Sequence, residues 1–346
     1  MKLPPSPAVR FPLLPSLLLA SCISALLPAG AHAADPKRVL VVTVTTGFRH
    51  SSIASAERTL QKLADESKEF QIVDFLRQPQ VVVPKKPAPP RALAPDADEG
   101  AKKRFEAETA RYQEALSKWT PEIAAQAEQA KQNFDKELTS VLSKLAPAAL
   151  EAARIDGVIF ANTTGDLPLP DKDGFVQWVE QGHAFMAMHS ASDTLHGFRP
   201  YSAMLGGEFE THGAQAAVDL QALDSAHPAA AGIPSPWAIA QEEMYRFKTY
   251  ERNRVRDIWA SEKVPMDKKP DQGERRHFPV SWVRSQEKGR IFYTALGHRE
   301  DLWDERPELP NRVNSPEVSQ AYQKHILGGI RWALGLAPGS AEPQVK

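Results

Sequence analysis

Cysteine is almost missing from this chain: Cys22 is the only one in 346 residues. Beyond residue 22 there is no thiol for a disulfide, a thiolate metal ligand or a cysteine nucleophile. Net charge is also missing, at −1. Nothing therefore biases the chain toward nucleic acid or an anionic membrane surface, and neither is expected as a partner. After the N-terminal region no apolar run reaches the ~20 residues that a membrane-spanning helix needs. Three motifs are absent as well: HExxH, a Gly-rich phosphate loop of either standard spacing, and GxSxG. Without the last, Ser190 and Ser192 lack the elbow of a serine hydrolase.

What is present is ordinary globular material, 42% apolar and 25% charged. The length suits one large α/β domain with additions, or two ordinary domains. Residues 1–33 read as an export signal. They carry Lys2 and Arg10 but no acid, then the apolar run FPLLPSLLLASCISALL, then the small-residue stretch AGAHA. A competing lipoprotein reading rests on Leu19-Ala20-Ser21-Cys22. Apolar sequence continues past Cys22 to Leu27, which favours simple cleavage after Ala33 and a periplasmic or extracellular protein.

The body reads as a strand–helix–strand opening. RVLVVTVT (38–45) is a β-branched run ending in Thr46-Gly47-Phe48-Arg49-His50. A helix follows with Ile53, Ala56, Leu60, Leu63 and Ala64 at 3–4 spacing, then a second strand, Phe70 to Leu76. Residues 77–97 are too Pro-rich for either element. From Asp98 to Leu145 the pattern predicts two helices, separated at Pro121, as a hairpin inserted between the second and third strands. The sheet resumes at 156–161, followed by a helix over 171–181 and a fully apolar strand, Ala184 to Met188, that runs into His189. Further strands are expected at 218–223, 237–248, 256–260, 278–284 and 290–296, and a last helix from Pro316 to Leu334. The division is thus 1–33 signal, 34–76 and 146–336 α/β domain, 77–145 linker plus hairpin, and 337–346 tail. Alternating strands and helices predict a doubly wound, mainly parallel sheet. Its ligand site belongs at the carboxyl ends of the strands.

Six polar sets fall mostly where strand-like runs end: Arg49 and His50; Asn162 and Asp166; His189 and Asp193; Glu208 and His212; Glu242, Glu243 and Tyr245; and His298, Arg299, Glu300 and Asp301. His189 and His298 suit acid/base work because imidazole titrates near neutrality. Their bland reading is plain hydrogen bonding and helix capping. Trp237, Trp259 and Trp282 are expected in the core. Trp303, within the polar stretch HREDLWDERP, is expected at the rim of a binding site, where it could stack on a sugar.

Taken in order, VTVTTGFRH, FANTTGD, AFMAMHSASDT, LGGEFETH, DSAHP, EEMYRF and GRIFYTALGHRED resemble the ThuA-like, trehalose-utilisation family. The resemblance covers about 38–76 and 155–335 and leaves out the hairpin. It implies a fold similar to the class I glutamine amidotransferases, a flavodoxin-like parallel sheet flanked by helices. Those enzymes carry a cysteine at a strand–helix elbow and a His-x-Glu pair downstream. Here His189 stands at the elbow, and His298-Arg299-Glu300 resembles the pair. With no cysteine in the expected mature chain, thiolate attack on glutamine is excluded.

The resemblance also implies carbohydrate processing, including oxidised keto-sugars. Such chemistry needs a base, an acid and a group to stabilise an enediolate. The expected catalytic set is His189, His298, Glu243 and Glu300. Arg49, His50, Asn162, Asp193 and His212 are expected to bind substrate, with Trp303 at the rim. One divalent metal ion is a candidate cofactor, held by members of the set His189, His212, Glu243 and His298. Two other readings stay open: a non-catalytic carbohydrate-binding protein, and an interaction protein working through the 98–145 hairpin. A homo-oligomer is also left open.

Overall fold

The computed structural model describes residues 1–5, 8, 35–263 and 277–345. Met1–Asp35 form one unit and Pro36–Lys346 another. The apolar run of the expected export signal, with Cys22, lies outside the described residues. Among the described residues no helix is long and apolar enough to cross a membrane.

The second unit is built on a nine-stranded sheet. Its first half is parallel: β1 (Lys37–Val42), β2 (Phe70–Leu76), β3 (Gly157–Ala161), β4 (Ala184–Met188) and β11 (Gly289–Thr294) lie in the order β2-β1-β3-β4-β11. This is the flavodoxin-like doubly wound order. The second half is antiparallel and continues through β10 (Phe278–Gln286), β9 (Arg256–Ser261), β6 (Ala216–Ala222) and β7 (Trp237–Glu242). A separate two-stranded ribbon pairs β5 (Glu208–His212) with β8 (Tyr245–Lys248).

Every residue of β3 and β4 is buried. They lack polar alternation because both sheet faces are covered. Side chains still alternate between two cores. Val39, Val41, Ile159, Met186 and Met188 face a core closed by α1 (Ile53–Ser67) and α8 (Pro316–Ala333). Leu40, Val42, Val158, Phe160 and Phe185 face one closed by α5 (Lys172–Glu180) and α6 (Arg199–Leu205). Helix α8 lies so close that a Cβ on Gly329 would come 2.4 Å from the Phe292 ring.

The expected hairpin is present as α2 (Glu99–Ser117) and α3 (Pro121–Leu142), capped by Asp98 and Thr120. Helix α2 buries no residue, and α3 buries only Leu138 and Leu142 in its last turns. Phe134 and Val141 of α3 also pack, partly buried, against the second core.

The strand expected over 237–248 is two strands. It breaks at Glu243-Met244, where the chain leaves the main sheet for the ribbon. Strand β5 was not expected, because LGGEFETH carries too few apolar residues to show a buried face. Trp303 is fully buried in the first core, with Nε1 donating to the Gly297 carbonyl at 2.9 Å. Its polar neighbours pointed to the rim, but the one-turn helix α7 (Glu300–Trp303) turns Leu302 and Trp303 inward.

Candidate functional site

Four connections converge at one edge of the sheet. His50 lies between β1 and α1, His189 follows β4, Glu243 follows β7, and His298 lies four residues beyond β11. Ala161 of β3 pairs with Met188 of β4, so Asn162 and His189 leave the sheet side by side. Both are buried and both have left-handed backbone, with φ of 55° and 50°. For a residue with a Cβ such a turn costs about 1–3 kcal/mol and persists only where its surroundings enforce it. At His189 the turn aims the imidazole back over the sheet edge.

His50, His189, Glu243 and His298 each offer a ligand atom, and these atoms all lie within 4.8 Å of one another. His189 Nε2 is 3.2 Å from His50 Nε2 and 3.7 Å from Glu243 Oε2. His298 Nδ1 is 3.1 Å from the same carboxylate oxygen, yet not aligned for a hydrogen bond. Glu243 Oε1 is 3.0 Å from His212 Nδ1. The Tyr245 hydroxyl lies 2.9 Å from His189 Nε2, and Ser190 Oγ lies 3.2 Å from His50 Nδ1.

The tautomer of His189 follows from its partners. Nδ1 faces the Ala295 carbonyl at 2.8 Å, and a carbonyl can only accept. Nδ1 therefore carries the proton, leaving on Nε2 a lone pair that faces the cluster and the Tyr245 hydroxyl. A backbone carbonyl behind the second nitrogen is the usual support of a metal-bound imidazole. Tetrahedral bonds of about 2.1 Å place ligand atoms roughly 3.4 Å apart. The observed spacings bracket that value, so the set fits a divalent ion after a small contraction.

Burial, and then the positive field of His298, pushes His50 down to about 4. Burial likewise drives His189 well below the ordinary histidine range, aided by His50 and His298. Both imidazoles are neutral near pH 7, as ligands must be. His298 moves the other way: burial opposes its charge, but Glu243, Glu242 and Glu300 together outweigh that and raise its pKa. Beneath the turn, Glu242 is fully buried and pushed up to about 7 by burial. Its Oε1 accepts from the backbone N–H of Gly297 at 3.3 Å and of His298 at 2.8 Å.

The remaining expected residues are placed as follows. His212 Nδ1 lies against the outer oxygen of Glu243 and, at 2.8 Å, the Gly213 carbonyl, and the side chain is partly exposed; His50 takes the place in the ligand set expected for His212. Asn162 lies beneath the cluster, with Nδ2 donating to Ser52 Oγ at 2.8 Å and the Gly297 carbonyl at 2.9 Å. Arg49 is turned away onto the Thr43 carbonyl at 3.0 Å. Asp193 pairs with His196, which also bonds Glu208 at 2.7 Å. Glu300 opens α7 and reaches His298 only through its field, since the carboxylate beside that imidazole is Glu243. The sequence reading missed Tyr245 as a partner of His189, and it missed Phe48. Phe48 is 67% exposed and meets His50 edge-on, ring centres 4.8 Å apart. Its place beside His50 in TGFRH was the available signal.

Comparison with known proteins adds the family. The family described as ThuA, trehalose utilisation, matches residues 105–333. The match begins inside α2 and so takes in most of the hairpin. A solved ThuA-like protein from Parabacteroides merdae superposes with a TM-score of 0.53 at 17% identity, covering 88% of this chain and 93% of its own. One from Bacteroides uniformis gives 0.52 at 15% identity, covering 92% and 100%. At these identities the likeness speaks for the fold alone. No curated protein matches the sequence. The matched family spans about two-thirds of the chain, and the chain belongs to the ThuA, trehalose-utilisation family.

Proposed function

We propose that this chain is an exported, metal-assisted enzyme acting on a sugar or keto-glycoside at the carboxyl edge of its sheet. One observation carries the reading: three histidines and one glutamate from four separate connections bring their ligand atoms within 4.8 Å of one another. Structural histidines are scattered through cores; four ligand-type side chains at a strand-end edge are the arrangement of a centre.

The chemistry follows from the groups present. A divalent ion held by His50, His189, Glu243 and His298 would polarise a sugar carbonyl or hydroxyl. His212 rests on the outer oxygen of Glu243 with its side chain 44% exposed. It is placed to take a proton from a substrate carbon made acidic by a neighbouring keto group, with Glu243 stabilising the imidazolium formed. Phe48 gives the rim an exposed ring against which a sugar face can pack. No cysteine follows Cys22, so the sheet edge has no thiolate for amidotransferase chemistry.

The test is metal content of the purified protein, measured with His189→Ala and His298→Ala. The expected result is close to one divalent ion per chain, lost in both variants, with turnover of an oxidised disaccharide lost alongside. If reconstitution yields no stoichiometric ion, the metal assignment falls. If sugar binds to wild type but is never turned over, the protein is a carbohydrate binder and the enzyme reading falls.

A further inference from the structure

A second cationic site lies away from the histidines. Ser281 of β10 pairs with Thr294 near the histidine edge, whereas Arg284 pairs with Ile291. Three strand residues, about 10 Å, separate the two positions. Arg284 sits under the C-terminus of α6, 5% exposed. Its Nη1 donates to the Ala203 carbonyl and its Nη2 to Gln286 Oε1. Its Nε is buried and, among the described residues, has no hydrogen-bond partner. Nor, among the described residues, does an ion pair join Arg284 to a carboxylate. Burial, and then the charge of Arg254, lowers its pKa to about 10, so it stays protonated at neutral pH.

Arg284 lines a recess of about 40 Å³ together with Arg199, Arg254, Ser202, Thr249 and Glu251. The cap on α6 and the bond to Gln286 account for two nitrogens of Arg284 but not for its charge, because a buried cation is costly without a counter-charge. Among the described residues the one carboxylate in the wall is Glu251, which pairs with Arg254 at 3.2 Å, and both side chains are half exposed. Three guanidinium groups thus face one carboxylate, and two hydroxyls add donors. Thr249 is held at φ 61°, which is a true outlier for a β-branched side chain. A water needs roughly 10–15 Å³ of such space, so the recess takes about three waters or one tetrahedral anion, and no sugar ring.

We propose that the recess between α6, the Thr249–Arg254 segment and β10 binds a small tetrahedral oxyanion of the phosphate class. Arginine forks match its oxygens in pairs, and Ser202 and Thr249 supply hydroxyl donors. The anion neutralises the excess cationic charge around Arg284. This site is independent of the histidine cluster.

The experiment titrates inorganic phosphate into the full chain at constant ionic strength, following heat of binding. Arg199→Gln and Arg254→Gln are the variants, since both side chains are exposed and their loss leaves the core packing intact. Saturable binding that weakens tenfold or more in each variant is the expected result. Saturable binding unchanged in both variants, or no saturable binding to wild type, overturns the site. Competition with a sugar monophosphate then separates the two sources. Displacement of phosphate at lower concentration assigns a phosphorylated ligand, and the reverse order assigns the free ion.

Discussion

Replacing Asp301 by alanine should be among the most damaging single changes near the site, although this residue touches no ligand atom. Asp301 lies three positions beyond His298 and is 2% exposed. Its carboxylate accepts five hydrogen bonds: two from Arg299 at 3.0 Å each, and from Val313 N at 2.7 Å, Asn314 N at 3.0 Å and Asn314 Nδ2 at 2.9 Å. Alanine leaves a largely buried guanidinium and two backbone N–H groups without their acceptor. Removing one partner of a buried pair costs about 3–5 kcal/mol. Arg299 keeps Gln215 and the Asn311 carbonyl, which places the expected loss near the lower end, about 3 kcal/mol. At 2–4 °C per kcal/mol the melting point should fall by roughly 6 °C or more. Asp301→Asn keeps one acceptor and should lose about 1–2 kcal/mol.

The pH dependence of that loss is a sharper check. Burial works against the charged form of Asp301, but Arg299 and the loop N–H donors win and hold its pKa below the usual aspartate range. A depressed carboxylate stabilises the fold above its unfolded pKa of about 3.9, and that contribution fades as pH falls through the folded value. Urea melts of metal-free wild type and Asp301→Ala should therefore differ by about 3 kcal/mol at pH 7 and converge in strong acid. A difference below about 0.5 kcal/mol at pH 7, or one that stays constant into acid, would refute the reasoning.

Two further outcomes are expected. Burial pushes His50, His227 and His325 down to about 4, so the unfolded chain binds protons that the folded chain refuses between about 6.5 and 4. Stability of the metal-free protein should be full above that window and drop by several kcal/mol as pH falls through it; His298 opposes this, and a melting temperature flat from pH 7.5 to 5.5 would contradict it. Phe48→Ala and Trp303→Ala should separate rim from core: the first leaves stability within about 0.5 kcal/mol and weakens sugar binding, the second costs about 3–5 kcal/mol. Calorimetric melting and sugar titration distinguish them, and equal stability loss in both would place the two aromatics in one environment.

The parallel half of the fold was legible because its central strands are buried on both faces and end in turn residues, while β2 at the edge reads from its β-branched and aromatic content. The runs at 38–45, 70–76, 156–161 and 184–188 need no tertiary knowledge to read as strands. The antiparallel half was legible only as strand-like runs. Nothing in residues 237–248 says that Glu243-Met244 is where the chain changes sheets, since no glycine or proline interrupts the run. The cluster was legible as an edge for His50, His189 and His298, which each follow a strand-like run, whereas Glu243 lay inside the single run expected over 237–248. Which of them meet is decided by side-chain direction, and that depends on packing. Glu300 follows the His-x-Glu pattern, yet α7 starts at that residue and directs it elsewhere, while Glu243 approaches from another strand. Trp303 misled for a related reason: its neighbours Asp301 and Asp304 are polar yet buried, each held by an arginine, and the sequence does not show that pairing.

The four convergent side chains also fix when the site can exist. His50 and His189 alone are 139 residues apart, and His298 follows the last strand of the parallel half. No fragment ending before that strand can assemble the set, and no local segment can hold an ion by itself. An ion bound there would act as a clasp across the whole sheet, adding to global stability as the logarithm of its concentration over its dissociation constant. Its capture would then mark a finished chain, and a chelator would loosen β1, β4, β7 and β11 together instead of freeing one loop.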